Sequence, residues 1–77
     1  MILEKVKNII AKELGIEAEE LDVKASFTDD LGIDSLEIFE IVISIEEEFN
    51  IEISNEEVAG IKNTEEIVKF IENKLSK

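Results

Sequence analysis

Apolar residues recur at helical spacing in three parts of the chain, and this pattern predicts three long helices. The first covers residues 2–14 and is followed by Gly15, a typical residue at a helix end. Its predicted core face consists of Leu3, Val6, Ile10 and Leu14, with Ile2 and Ile9 beside them. The last begins at Asn63 and Thr64, and its predicted core face consists of Ile67, Val68, Ile71 and Leu75, with Phe70 nearby.

The central helix, residues 35–49, differs from the other two because it is apolar on two sides. At about 100° per residue, one face lies roughly 140° to 240° from Leu36 and consists of Ile38, Ile41, Val42, Ile45 and Phe49. On the other side lie Leu36, Phe39 and Ile43, with Glu40 and Glu47 beside them. The first face is a predicted core face. The second is typical of a surface that meets a partner, although a helix buried on several sides gives the same pattern.

The remaining residues predict a long loop and one short helix. Residues 16–34 contain six large apolar residues without a sustained period, which indicates a loop packed over the core, with one helical turn near Glu17–Leu21. Ser54-Asn55-Glu56-Glu57 is a capping box that opens a short helix ending at Gly60. We therefore expect an all-α fold: a small four-helix bundle with three longer helices, one short helix and a long loop between the first two.

The length and the missing residue types limit what this chain can do by itself. Its 77 residues predict a single domain, residues 1–77. Histidine and cysteine are absent, as are tyrosine, tryptophan, arginine and proline. A serine nucleophile needs a base, usually histidine, so we expect a non-catalytic protein. Because disulfides and thiolate metal sites are excluded, any thiol chemistry must use a thiol supplied from outside the sequence.

The charge is strongly negative and unevenly distributed. The net charge is −12, and residues 25–61 contain eleven acidic residues and no basic one. Such a surface favours fast encounter with basic partners and repels nucleic acid, although an acidic surface can also serve solubility alone. No apolar run has the length of a membrane span, and the N-terminus lacks a signal-peptide core. We therefore expect a cytoplasmic protein that does not insert into a membrane.

The acidic residues do not predict a specific metal site. The run Asp29-Asp30-Leu31-Gly32-Ile33-Asp34 lacks the oxygen spacing and the terminal glutamate of an EF-hand loop. Weak binding of divalent cations near residues 46–48 or 29–30 would relieve the repulsion between like charges.

Ser35 stands at the start of the central helix. Asp34 is the predicted N-cap and Glu37 the reciprocal half of a capping box, while Gly32 allows a sharp turn before them. The N-terminal end of a helix also favours a phosphate group. A serine in this position is ordinarily only part of the helix start, so the surrounding residues decide its role.

Those residues resemble the modification site of acyl carrier proteins. The similarity lies in Asp34-Ser35-Leu36, in the preceding Asp29-Asp30-Leu31-Gly32-Ile33, and in the apolar, acidic helix that includes Glu46-Glu47-Glu48-Phe49, and it extends over essentially the whole chain. In that family the serine carries a 4′-phosphopantetheine arm whose thiol holds acyl groups as thioesters. The resemblance therefore implies a stand-alone carrier of the fatty-acid-synthesis type, a phosphoprotein with its arm on Ser35.

The resemblance also implies the partners. A phosphopantetheinyl transferase loads the serine, and fatty acid synthesis enzymes with basic patches dock on the central helix. Some partner-binding residues follow from the helix pattern and others from the family resemblance. Together they are Asp34, Leu36, Phe39, Glu40, Ile43, Glu47 and Ile61. Ile61 matches a family position near the arm, whereas Phe39 is bulkier than the small aliphatic residue expected at its position. We expect a monomer whose acyl chain enters between the helices.

Two alternatives share most of these features. A carrier in a polyketide, nonribosomal peptide or cell-wall alanyl-transfer pathway has the same serine site and differs only in its partner enzymes and cargo. An unmodified acidic helical adaptor would use Ser35 only as part of the helix start, and its binding to basic proteins would not depend on that residue.

Overall fold

The computed structural model describes residues 2–76, which fold into four α-helices without a β-strand among them. The helices are α1 (Ile2–Leu14), α2 (Ser35–Phe49), α3 (Asn55–Gly60) and α4 (Thr64–Leu75), and a single 3-10 turn lies at Ala18–Glu20. The prediction of an all-α fold with three longer helices, one short helix and a long first loop is confirmed.

Glycine and small polar residues define where the helices begin and end. Gly15 has a φ of 72°, and the Ile16 N–H donates to the Ala11 carbonyl at 3.0 Å, so a left-handed residue closes α1. Asn50, with a φ of 55°, ends α2 in the same way. The Ser54 hydroxyl and the Asn63 side chain accept from backbone N–H groups in the first turns of α3 and α4. Gly15, Ser54 and Asn63 therefore act as predicted, whereas the role of Asn50 was not predicted from the sequence.

The core lies between α1, α2 and α4 and is covered by the long loop. Its buried residues are Val6, Ile10, Leu21, Phe27, Ile33, Ile41, Ile45, Ile67 and Ile71. The loop contributes Leu21, Phe27 and Ile33, and Ile16 and Leu31 pack against the core, so the prediction that the apolar loop residues pack over the core is confirmed for these five. Full burial of each such side chain contributes about 1.5–3 kcal/mol. In contrast, no residue of α3 is buried.

Two residues predicted to face the core are exposed instead. Leu3 is 41% exposed and Leu75 is 48% exposed. Leu3 lies in the first turn of α1, and Leu75 is the last residue of α4. Helical spacing identifies the side of a helix that faces the core, but it does not show how far the neighbouring helices extend to cover that side.

Candidate functional site

Ser35 is the first residue of α2, and the backbone around it is held on both sides. Two residues earlier, the buried Ile33 donates its N–H to the Phe27 carbonyl at 2.8 Å. Gly32, with a φ of 64°, makes the turn that leads into this anchor. Ser35 itself is exposed. The fold therefore presents an accessible serine side chain on a fixed backbone.

Asp34, and not Ser35, caps the helix. The Asp34 carboxylate accepts from the Glu37 N–H at 2.8 Å, and the Glu37 carboxylate accepts from the Asp34 N–H at 3.3 Å. This is the reciprocal capping box that the sequence predicts. Because the neighbouring aspartate satisfies the first turn, the Ser35 hydroxyl is not needed for capping.

An open pocket of about 420 Å³ lies beside Ser35. Its walls come from the start of α2, from loop residues 26–29, and from the end of α3 with the residues that follow it. Ile61, which the family resemblance places near the arm, lies in this wall together with Val58 and Lys62. The fold thus brings Ser35 and Ile61 to the same pocket, although they are far apart in sequence.

A small apolar void of about 10 Å³ lies behind the open pocket. Four residues line both spaces: Phe27, Ile38, Val58 and Ile61. The void alone is bounded by Ile41, Val42 and Ile67. The sequence did not identify Phe27 and Val58 as pocket residues, since apolar spacing does not show which part of a loop packs beside a given helix end.

The second apolar face of α2 lies on the surface. Leu36 is 67% exposed, Phe39 is 52% exposed and Ile43 is 38% exposed, and Glu40 and Glu47 are exposed beside them. We call these five residues the docking face, after the role that the sequence predicts for them. Burial of α2 on several sides, which would have given the same sequence pattern, does not apply to them. Asp34 is also exposed, whereas Ile61 is half-buried.

The electrostatics beside the docking face are dominated by carboxylates. Glu13 of α1 has a raised pKa because its side chain hydrogen-bonds to Glu40, with smaller contributions from desolvation and from the charges of Glu40 and Glu37. An acidic residue of α1 therefore extends the negative surface next to α2. In α3, hydrogen bonding to Ser54 lowers the pKa of Glu57, and the Lys74 ammonium at 3.6 Å contributes to the shift.

Neither a metal cluster nor a membrane-spanning helix is found in the part of the chain that the structure describes. Within residues 2–76, no three histidine, cysteine, aspartate or glutamate side chains come together as a group that could hold a metal ion. None of the helices formed by these residues is long and apolar enough to cross a membrane.

Comparison with known proteins identifies the family. Residues 4–71 match a family model described as a phosphopantetheine attachment site. An acyl carrier protein from Clostridium acetobutylicum is 48% identical over 71 residues, which are 92% of each chain. An acyl carrier protein from Solidesulfovibrio magneticus is 45% identical over 73 residues, covering 95% of this chain and 94% of its own.

The fold comparison agrees with the sequence comparison. A solved structure described as a candidate acyl carrier protein from Mycobacterium tuberculosis superimposes with a TM-score of 0.87. It is 26% identical and covers 95% of this chain and 97% of its own. The family match and both curated relatives span nearly the whole length of the sequence. The chain therefore belongs to the acyl carrier proteins, a family of non-catalytic carriers that use 4′-phosphopantetheine.

Proposed function

We propose that Ser35 is the attachment site of 4′-phosphopantetheine and that the chain carries acyl groups to the enzymes of fatty acid biosynthesis. The observation that carries this proposal is the exposed Ser35 at the start of α2, next to an open pocket of about 420 Å³. The capping box of Asp34 and Glu37 leaves the serine hydroxyl free for modification. When bound, the arm supplies the thiol that the sequence lacks, and that thiol holds acyl groups as thioesters.

The residues around Ser35 fit a phosphodiester and an extended arm. The first N–H groups of α2 and the helix dipole favour a negative charge at this end of the helix. Lys62 lines the same pocket and is the nearest basic residue in sequence after the acidic segment 25–61. The apolar walls at Ile38, Val58 and Ile61 can receive the part of the cargo next to the thiol.

Loading requires a separate enzyme, because the chain contains no histidine or cysteine that could activate Ser35. A phosphopantetheinyl transferase would transfer phosphopantetheine from coenzyme A to the Ser35 oxygen. The serine proton goes to a base of the transferase, and adenosine 3′,5′-bisphosphate leaves. Asp34 and Glu37 hold the serine backbone in place during this transfer.

The docking face would bind both the transferase and the synthesis enzymes. Leu36, Phe39 and Ile43 offer exposed apolar area, and Glu40 and Glu47 offer charges for arginine or lysine side chains of a partner. Asp34 adds a carboxylate beside the attachment site, and Ile61 adds an apolar contact at the pocket edge. We expect residues 1–77 to act as one domain, as a cytoplasmic monomer that meets each enzyme in turn.

The decisive experiment is intact-mass measurement after incubation with coenzyme A, magnesium and a broad-specificity phosphopantetheinyl transferase. We expect one phosphopantetheine increment on the parent protein and none on Ser35→Ala. Ser44→Ala, which removes a half-buried serine from the same helix, is the matched control and should load normally. No increment on folded, unmodified parent protein would favour the adaptor function instead.

The pathway requires a second readout, because a polyketide, nonribosomal peptide or alanyl-transfer carrier would also be loaded. The loaded protein should accept a malonyl group, and fatty acid synthesis enzymes should then elongate the acyl chain on it. Because polyketide carriers also accept malonyl groups, elongation by the fatty acid enzymes, and not malonyl loading alone, separates these two pathways. Loading with an aminoacyl group by an adenylating ligase, without malonyl transfer, would assign the chain to an alanyl-transfer or peptide pathway.

A further inference from the structure

We infer that the Lys62 ammonium is the counter-ion of the phosphodiester on Ser35 and holds the start of the arm at the mouth of the pocket. This inference rests on the proposed function, because it concerns the group attached to Ser35. It assigns a positioning role to an exposed lysine that lies just after α3 and outside the docking face.

The backbone of Lys62 is held in a fixed place relative to Ser35. The Phe27 N–H donates to the Lys62 carbonyl at 2.9 Å, and the Ile33 N–H donates to the Phe27 carbonyl at 2.8 Å. These two hydrogen bonds connect Lys62, through the buried Phe27, to a residue two positions before Ser35. The Lys62 N–H also donates to the Glu66 carboxylate at 2.7 Å. The fold therefore places Lys62 and Ser35 on the walls of one pocket by backbone contacts.

The Lys62 side chain, in contrast to its backbone, has no carboxylate partner among residues 2–76. The ion pairs within this range are Lys5 with Glu48 at 3.5 Å and Lys74 with Glu57 at 3.6 Å. The whole sequence contains twenty acidic residues and only eight basic ones, so most lysines have many possible partners. The exposed Lys62 ammonium is therefore available to an anion that is attached in the same pocket.

The charges around Ser35 show why a cation is needed at this place. Residues 25–61 contain eleven acidic residues and no basic one, and Asp34 and Glu37 lie beside Ser35. A phosphodiester adds a further negative charge to this surface, where it is repelled by the carboxylates. Among the described residues that line the pocket, Lys62 is the one with a positive charge. Its ammonium can therefore offset the repulsion that modification of Ser35 creates.

This attraction has two properties that an experiment can separate from a structural role of Lys62. It exists only after loading, so it changes the melting temperature of the loaded protein and not that of the unloaded protein. Because both charged groups are exposed to solvent, the attraction is small and is screened by salt. A role of Lys62 in folding alone would instead affect the loaded and the unloaded protein equally.

The experiment measures the melting temperature of the full-length protein before and after loading, at low ionic strength, with complete loading verified by intact mass. In Lys62→Gln, the melting temperature of the loaded form relative to the unloaded form should be about 2–4 °C lower than in the parent protein. Lys62→Arg, which keeps the charge, should behave as the parent does. Lys69→Gln is the matched control, because Lys69 is an exposed lysine of α4 that does not line the pocket with Ser35. About 0.5 M sodium chloride should remove the effect of Lys62→Gln.

A second measurement uses the parent protein and does not depend on the folding of Lys62→Gln. In NMR spectra of protein with carbon-13-labelled lysine, the methylene group next to the Lys62 ammonium should shift on loading, and that of Lys69 should not. Lys62→Arg identifies the Lys62 signal by removing it. An unshifted Lys62 signal, or equal changes in melting temperature for Lys62→Gln and Lys69→Gln, would overturn the inference. Failure of the parent protein to load would instead overturn the proposed function, and intact mass detects that failure first.

Discussion

The two apolar faces of α2 have nearly the same composition and opposite environments. Ile41, Val42 and Ile45 are buried, whereas Leu36, Phe39 and Ile43 are exposed and are bordered by carboxylates. The first face is accounted for by folding, because burying it stabilises the bundle. The second face remains 38–67% exposed after folding, so folding accounts for less of it, and we propose that it serves binding. A residue type alone does not separate these roles, but the carboxylates beside one face do.

The largest difference between the two faces should appear in stability. Ile45→Ala removes three carbons from a fully buried position and should lower the free energy of unfolding by about 2–5 kcal/mol. Urea denaturation followed by circular dichroism measures this change. A loss below about 1 kcal/mol would mean that Ile45 contributes little to the core. It would contradict the conclusion that the buried face of α2 stabilises the bundle.

Phe39→Ala should affect binding to the transferase more than it affects stability. Because Phe39 is half exposed, its removal should lower the free energy of unfolding by less than about 1 kcal/mol. The loss of an aromatic contact at an interface should reduce kcat/KM of the transferase for this carrier by roughly tenfold. Leu75→Ala, which removes an exposed apolar residue far from the docking face in sequence, is the control and should leave kcat/KM unchanged. Equal effects of the two variants on loading would argue against a specific docking face.

One polar side chain lies in the buried core. The Thr64 hydroxyl at the start of α4 is fully buried and has no hydrogen-bond partner among the described residues. Thr64→Val keeps the shape and removes an unsatisfied group, so the free energy of unfolding should increase by about 1 kcal/mol. A decrease of similar size, measured by urea denaturation, would show that the hydroxyl is satisfied in solution.

The charges of the docking face should affect encounter more than stability. Glu47→Gln should lower kcat/KM for loading by a factor of up to about five, and the deficit should shrink as salt is added. Glu72→Gln changes the net charge by the same amount on α4 and should have a smaller effect. If both variants lowered kcat/KM equally, total charge rather than the placement of charge on α2 would explain the encounter.

The smallest expected effect concerns Glu13, which lies against Glu40 at the edge of the docking face. The pKa of Glu13 is raised in the folded state, so folding favours its protonated form and repulsion opposes folding once both carboxylates are ionised. Glu13→Gln should therefore be more stable than the parent above the raised pKa. The difference should decrease as the pH falls and should vanish below the ordinary value of 4.5. Thermal melts of both proteins across this pH range measure the difference in stability. A difference that stays the same at every pH would contradict the interaction between Glu13 and Glu40.

The sequence predicted the helices well because their ends have local chemical signals. Gly15, the Asp34–Glu37 capping box and Ser54 each act on backbone groups a few residues away. The residues close to them in sequence are therefore sufficient to identify these helix ends. The exposure of the docking face was also predictable, since its carboxylates could not be buried without partners. Leu3 and Leu75 were misjudged because their burial depends on where other helices stop.

The pocket could be predicted only in part for the same reason. Ser35 and Ile61 were assigned to one site from the family resemblance, and the fold brings them together. Phe27 and Val58 belong to a loop and to a short helix whose packing depends on contacts with residues distant in sequence. No local spacing shows such contacts, so the lining of the pocket could be determined only from the structure.

Locating the modified residue decides whether α2 presents the phosphopantetheine arm. The chain contains five serines, including the exposed Ser54, which is a helix cap. After loading, proteolysis and tandem mass spectrometry should find the phosphopantetheine on Ser35 alone. A modification on any other residue, or a loaded Ser35→Ala protein, would contradict the account of α2 as the helix that presents the arm.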